Sequence, residues 1–106
     1  MILMEKIYVT DGKNNCVLVC SNTETYLDHF VRFDGNSKPT GIHIDCSGFV
    51  YVVERVKHQA SVFDSSGKLV TTFGKDADFA EPLGLMFDED GFIYICDSLQ
   101  NRIQVF

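Results

Sequence analysis

Apolar residues in this chain come in short alternating runs, separated by turns that carry glycine and aspartate. From Gly41 to Gly74 the pattern predicts four strands. Gly41-Ile42-His43-Ile44-Asp45 is half apolar, and Cys46-Ser47-Gly48 follows as a turn in which glycine can take a positive φ. Phe49-Val50-Tyr51-Val52-Val53-Glu54 combines the aromatic and β-branched residues that suit a pleated surface. After the loop Arg55-Val56-Lys57-His58 come the strand Gln59–Phe63, the turn Asp64-Ser65-Ser66-Gly67 and the strand Lys68–Phe73. No stretch long enough for a helix carries a 3.6-residue apolar period.

The plan recurs every 43 residues without insertion or deletion. Tyr8, Tyr51 and Tyr94 share this step, as do Val19, Val62 and Val105, and the acids Asp11, Glu54 and Asp97. It also joins Pro39 to Pro82, Gly41 to Gly84, Asp45 to Asp88, Gly48 to Gly91 and Phe63 to Phe106. A four-stranded antiparallel unit repeated at this spacing predicts an all-β fold, a β-propeller whose blades pack face to face. The length corresponds to about two and a half repeats, so a partial propeller is expected: an incomplete first blade over 1–40, a complete blade over 41–83 and an incomplete last blade over 84–106. Uncovered blade faces and strand edges then predict either self-association or the remaining blades of a longer chain.

The motif Pro39-Thr40-Gly41-Ile42-x-Ile44-Asp45-x-x-Gly48-Phe49-Val50-Tyr51-Val52, continued by His58-x-x-x-Val62-Phe63-Asp64-x-x-Gly67-Lys68 and Phe73-Gly74, resembles the NHL repeat. The last copy, from Pro82 through Ile93-Tyr94-Ile95-Cys96-Asp97 to Asn101-Arg102-Ile103-Gln104-Val105-Phe106, is closer still. Within that family the spacings are most similar to the C-terminal NHL domains of tripartite-motif (TRIM) proteins. The resemblance implies an intracellular binding platform attached to a RING ubiquitin-ligase module, which these 106 residues do not contain. The chain departs from the pattern in two places. The family's Asp-x-x-Asn-x-Arg step survives as Asp97, Asn101 and Arg102, but the middle copy has Glu54, His58 and Gln59 and the first has Asp11, Asn15 and Cys16. The first copy also has Glu24 where the middle one has the turn glycine Gly67.

Candidate chemistry is sparse. Asp11, Glu54 and Asp97 could form a carboxylate ring for a divalent ion, but an acid repeated at a strand end is better explained as a cap on the amides of the following turn. These acids, with Gly41, Gly84, Gly48 and Gly91, are therefore assigned to the repeat architecture. His43 lies on a first strand, where a propeller lines its channel. The resemblance extends to NHL-type amidating lyases that hold zinc with histidines, but a catalytic zinc needs about three converging ligands, so His43 is expected to be packed. Cys16 and Cys20 share a strand face roughly 13 Å apart, too far for a disulfide or a common metal. All four cysteines, with Cys46 and Cys96, are read as reduced, buried thiols.

Charge adds one distinction. The chain carries 15 acidic and 9 basic residues, a formal charge of -6, which argues against a surface built mainly to hold a polyanion. Loops joining second to third strands share a rim with the blade-to-blade connections, and most basic residues fall on that rim, balanced there by acids. Its candidate binding residues are Arg55, Lys57, His58, Asn101 and Arg102. The preferred reading is a non-catalytic platform for a protein partner, without cofactor or metal. RNA binding by the same rim is the alternative, and a zinc-dependent lyase-like enzyme is third. No apolar run approaches a membrane span, and Met1-Ile2-Leu3-Met4 is too short for a signal-peptide core, so an intracellular, cytoplasmic protein without a membrane partner is expected.

Overall fold

The computed structural model describes residues 6–21 and 27–106. The Glu24 position and the opening Met1–Glu5 segment lie outside them. Ten strands are present among the described residues: β1 (Lys6–Asp11), β2 (Cys16–Ser21), β3 (Leu27–Arg32), β4 (Pro39–Ile44), β5 (Val50–Glu54), β6 (Gln59–Phe63), β7 (Leu69–Phe73), β8 (Pro82–Phe87), β9 (Ile93–Asp97) and β10 (Arg102–Val105). Two short 3-10 turns, Lys75–Ala77 and Ser98–Gln100, complete the regular structure. The strands form three antiparallel sheets, ordered β1-β2-β3, β4-β5-β6-β7 and β8-β9-β10. The chain is a partial β-propeller, and its register follows the sequence period. Tyr8 pairs with Val19, Tyr51 with Val62 and Tyr94 with Val105. The tyrosine and valine series are thus cross-strand partners in all three sheets.

The first hairpins of the second and third sheets are built alike. Asp45 Oδ1 accepts the amides of Ser47 and Phe49, and its Oδ2 accepts the Tyr51 hydroxyl. Asp88 repeats these bonds with Asp90, Phe92 and Tyr94. An Asx turn satisfies the loop amides, and Gly48 and Gly91, at φ 90° and 87°, turn the chain back into the next strand. The Tyr94 hydroxyl holds the Asp88 carboxyl below its ordinary pKa, and that carboxylate in turn raises the phenol.

The core lies between the sheets. Val17 of the first sheet packs with Val50, Val52 and Phe63 of the second, flanked by Tyr8, Phe30 and Ile42. At the next junction Val53 and Ala60 meet Ile95 and Phe79, flanked by Phe73 and Leu85. Phe63 meets Phe30 edge to face at 6.3 Å, and Phe106, one period later, meets Phe73 at 5.1 Å. The second sheet therefore buries one face against the first sheet and the other against the third. Among the described residues only the second sheet has both neighbours.

This geometry corrects the cysteine assignment. Cys16 is buried and Cys20 half-buried, but Cys46 and Cys96 are exposed. Cys46 sits in the β4–β5 turn. Cys96 points away from the second sheet, onto a face that no sheet among the described residues covers.

Candidate functional site

The rim predicted from strand order is present and is bound together by hydrogen bonds. Three turns on it end in a left-handed residue one period apart: Asn15 at φ 59°, His58 at 57° and Asn101 at 51°. Such a φ is costly for most side chains and is tolerated best by Asn, Asp and His. The segments joining β3 to β4 and β7 to β8 lie against these turns. The Arg55 amide donates to the Lys38 carbonyl and the Ser98 amide to the Glu81 carbonyl, the same bond 43 residues later.

Side chains complete the bracing, by different residues at the two junctions. In the first, Asn15 Oδ1 accepts the amides of Ser37 at 2.9 Å and Lys38 at 3.0 Å. Its Nδ2 donates to the carbonyls of Phe33 and Gly35. In the second, the equivalent amides of Ala80 and Glu81 donate to the buried carboxylate of Asp97 at 3.1 and 2.8 Å. One structural demand, two capped amides at the entry to a blade, is met by an amide side chain in one place and a carboxylate in the other.

The three in-phase acids therefore do not share one role. Asp11 caps its own turn through the amide and side chain of Asn14, which hold its carboxyl below the ordinary range. Glu54 caps no backbone amide of the following turn. It is 2% exposed and accepts the Ser61 hydroxyl and the Gln59 side chain, both at 2.7 Å. Asp97 reaches back to the preceding connection, with the Arg102 guanidinium 3.6 Å away. The expectation of one shared capping role holds for Asp11 alone, because Glu54 has one more methylene than Asp and its carboxylate extends between β5 and β6.

The candidate binding residues fall into two groups. Lys57 Nζ donates to the Asp34 carbonyl at 2.7 Å, and Arg102 donates to the carbonyls of Ala77 and Asp78 at 2.8 and 3.1 Å. These two cations tie turns to connections. Arg55 is half-buried, whereas His58 and Asn101 are exposed on the turns. Beside Lys57 a cleft of about 430 Å³ opens between the first and second sheets, lined among others by Arg32, Phe33, Asp34, Gln59 and Leu69. Sequence reasoning missed Asn15 as a brace, although its 43-residue spacing to His58 and Asn101 was visible. His43 is packed, its ring stacked on Phe87 of the next sheet at 4.3 Å. No cluster of three or more His, Cys, Asp or Glu side chains suited to a metal occurs among the described residues. Nor is any helix among them long and apolar enough to cross a membrane.

No family model matches the sequence, and no curated protein does. Solved structures do match in fold. A catalytically inactive variant of virginiamycin B lyase from Staphylococcus aureus, crystallised with quinupristin, superposes with a TM-score of 0.75 at 13% identity. The selenomethionine-substituted form of that lyase gives 0.74 at 14%. Each match covers 95% of this chain and 37% of the other, so the chain spans little more than a third of those propellers.

Proposed function

We propose that this chain is a non-catalytic binding platform, similar to the NHL domains of TRIM proteins, whose rim receives a protein partner. The observation that supports this reading is the use made of Lys57 and Arg102. Both hold connecting segments by their backbone carbonyls, so the rim is a fixed surface of mixed charge. A surface recognising the RNA backbone gains affinity from cations turned to phosphates. A braced rim beside a cleft of apolar and charged residues favours a polypeptide, since ordered loops lose less entropy on binding. Joined to a RING, such a rim would select substrates for a ubiquitin ligase.

The test is selection of displayed peptides on the chain, followed by rebinding to an Arg55→Glu/His58→Asp variant, aspartate being tolerated at the left-handed φ of residue 58. Peptides that bind the original and are lost by the variant are expected. Salt-sensitive retention of single-stranded RNA, lost in the same variant and without peptide binding, would favour the RNA reading instead. The structural neighbours are lyases by name, and at their identity the likeness concerns fold. The third reading, a zinc-dependent enzyme similar to the NHL-type amidating lyases, would require bound zinc in metal analysis of the purified protein.

A further inference from the structure

We propose that the cleft between the first and second sheets receives a bulky apolar side chain of the protein partner together with a neighbouring carboxylate, the carboxylate held by Arg32 and Lys57. This rests on the reading of the chain as a platform for a polypeptide and names the chemistry that the platform selects. The cleft belongs to an internal junction, with β3 as one wall, β7 as the other and β6 as its floor. Both ends are pinned. At the rim the Lys57 ammonium donates to the Asp34 carbonyl. At the opposite end of β6, Gly67 lies so close to β3 that an added Cβ would stand 2.6 Å from the Phe30 carbonyl oxygen. The volume of about 430 Å³ falls within the roughly 300–1,000 Å³ of ligand clefts.

The second junction shows why the first is open. There Arg102 and Phe79 fill the corresponding space from within the chain. The guanidinium crosses to the carbonyls of Ala77 and Asp78, and the Phe79 ring, 4% exposed, lies 5.8 Å from Phe106. One period earlier these two positions hold Gln59 and an exposed Asn36. Gln59 turns its amide nitrogen to buried Glu54 instead of crossing the gap. Phe33 takes over the ring contact, 5.9 Å from Phe63, but stays only half-buried. Phe33 and Leu69, the latter 53% exposed, are the apolar surface left for a ligand to cover.

Charge sets the other half of the ligand. Arg32 is exposed and donates to His29 Nδ1 at 3.2 Å, which leaves most of the five N–H donors of a guanidinium unused. Lys57 commits one ammonium proton to the Asp34 carbonyl, out of three. Two cations with donors to spare thus face one exposed carboxylate, that of Asp34, and a further carboxylate is favoured beside them. Glu54 lies beneath the floor, bonded to Gln59 and Ser61, so the anion belongs at the mouth and the apolar group below it. A peptide fits this arrangement better than an RNA does, because bases stack on open aromatic faces. Phe63 is 5% exposed and is met edge to face by both Phe30 and Phe33.

Fluorescence anisotropy on the 106-residue chain tests this, with the peptides selected from display as probes. They are expected to share a bulky apolar residue beside Asp or Glu. Arg32→Glu should weaken their binding by about tenfold to a hundredfold, and Leu69→Thr by about threefold. Both residues are exposed, so circular dichroism is expected to show both variants folded. Lysine in place of the peptide's acid should restore binding to Arg32→Glu. Gln59→Arg separates the cleft from charge in general: it adds a cation, yet by repeating the second junction it should fill the cleft and weaken binding. Loss in Arg32→Glu with Arg55→Glu/His58→Asp unaffected would support the cleft against the rest of the rim. Peptides lost from Arg55→Glu/His58→Asp but bound undiminished by Arg32→Glu and Gln59→Arg would overturn the cleft and leave the platform standing. Failure to select any peptide would overturn both. Oligouridine retained by the chain and lost in Arg32→Glu, without peptide binding, would give the cleft to RNA and overturn the proposal.

Discussion

A methyl group added at Gly41 would stand 2.6 Å from the carbonyl oxygen of Leu83, closer than a real Cβ contact. The first strands of adjacent blades approach this closely because residue 41 has no side chain. Gly84, one period on, would meet nothing within 4 Å. Gly41→Ala is therefore expected to cost about 1–3 kcal/mol by overpacking. Gly84→Ala should be neutral or slightly stabilising, because alanine reduces the freedom of the unfolded chain. Urea unfolding of the two variants side by side checks this, and equal effects would refute it.

Glu54 is buried with both oxygens bonded to side chains. Removing it strands the Ser61 hydroxyl and the Gln59 amide, so Glu54→Ala should lose about 1–3 kcal/mol. Glu54→Gln keeps an acceptor and should lose less. The same unfolding measurement separates the two.

Asp97→Ala should act locally. It leaves the amides of Ala80 and Glu81 without their acceptor, so hydrogen exchange at these two positions should accelerate while Val52 and Val53 stay protected. Faster exchange throughout the second sheet would show that Asp97 supports the fold as a whole.

The pH response follows from the paired turns. Asp64 and Asp88 have carboxyls lowered by donated bonds, chiefly from the Ser66 and Tyr94 hydroxyls. A lowered folded-state pKa means that the stabilisation is present above the ordinary carboxylate range and is lost as the pH falls through the folded value. The Tyr94 phenol is raised, with the opposite sign: its contribution is present below the ordinary tyrosine value of about 10 and is lost above it. Melting temperature should decline at both ends, and Tyr94→Phe should flatten both declines.

Thiol reactivity should divide the cysteines. Burial raises the Cys16 thiol and screens it from solvent, and the thiolate is the nucleophile. Iodoacetamide should reach Cys46 in the native state and Cys16 only as the chain unfolds.

The blade plan was legible because it rests on local chemistry repeated in phase. The Asp-x-x-Gly turns, the β-branched strands and the Tyr–Val pairs each need only near neighbours, and a period of 43 residues multiplies the signal. What the sequence did not disclose depends on neighbours in space. Cys96 occupies the position of the fully buried Val53, yet it is exposed, since burial there is conferred by the following sheet. Asp11, Glu54 and Asp97 share a phase but not a role, because one methylene and the identity of the nearest donors decide where each carboxylate reaches. Lys57 and Arg102 were visible as rim cations. Their use on the carbonyls of Asp34, Ala77 and Asp78 was not, because those partners lie more than twenty residues away.

The left-handed turn position occupied in succession by Asn15, His58 and Asn101 separates shape from identity on the rim. The backbone angle is held nearly constant while the side chain changes: at Asn15 the side chain also braces the following connection, whereas at exposed His58 the scaffold asks for a conformation and little else. Exchanging exposed His58 for asparagine or glycine would leave the turn standing and alter only what it offers outward. The His58 turn is in this sense an interchangeable position on a braced frame, and its outward chemistry can change without redesigning the blade beneath.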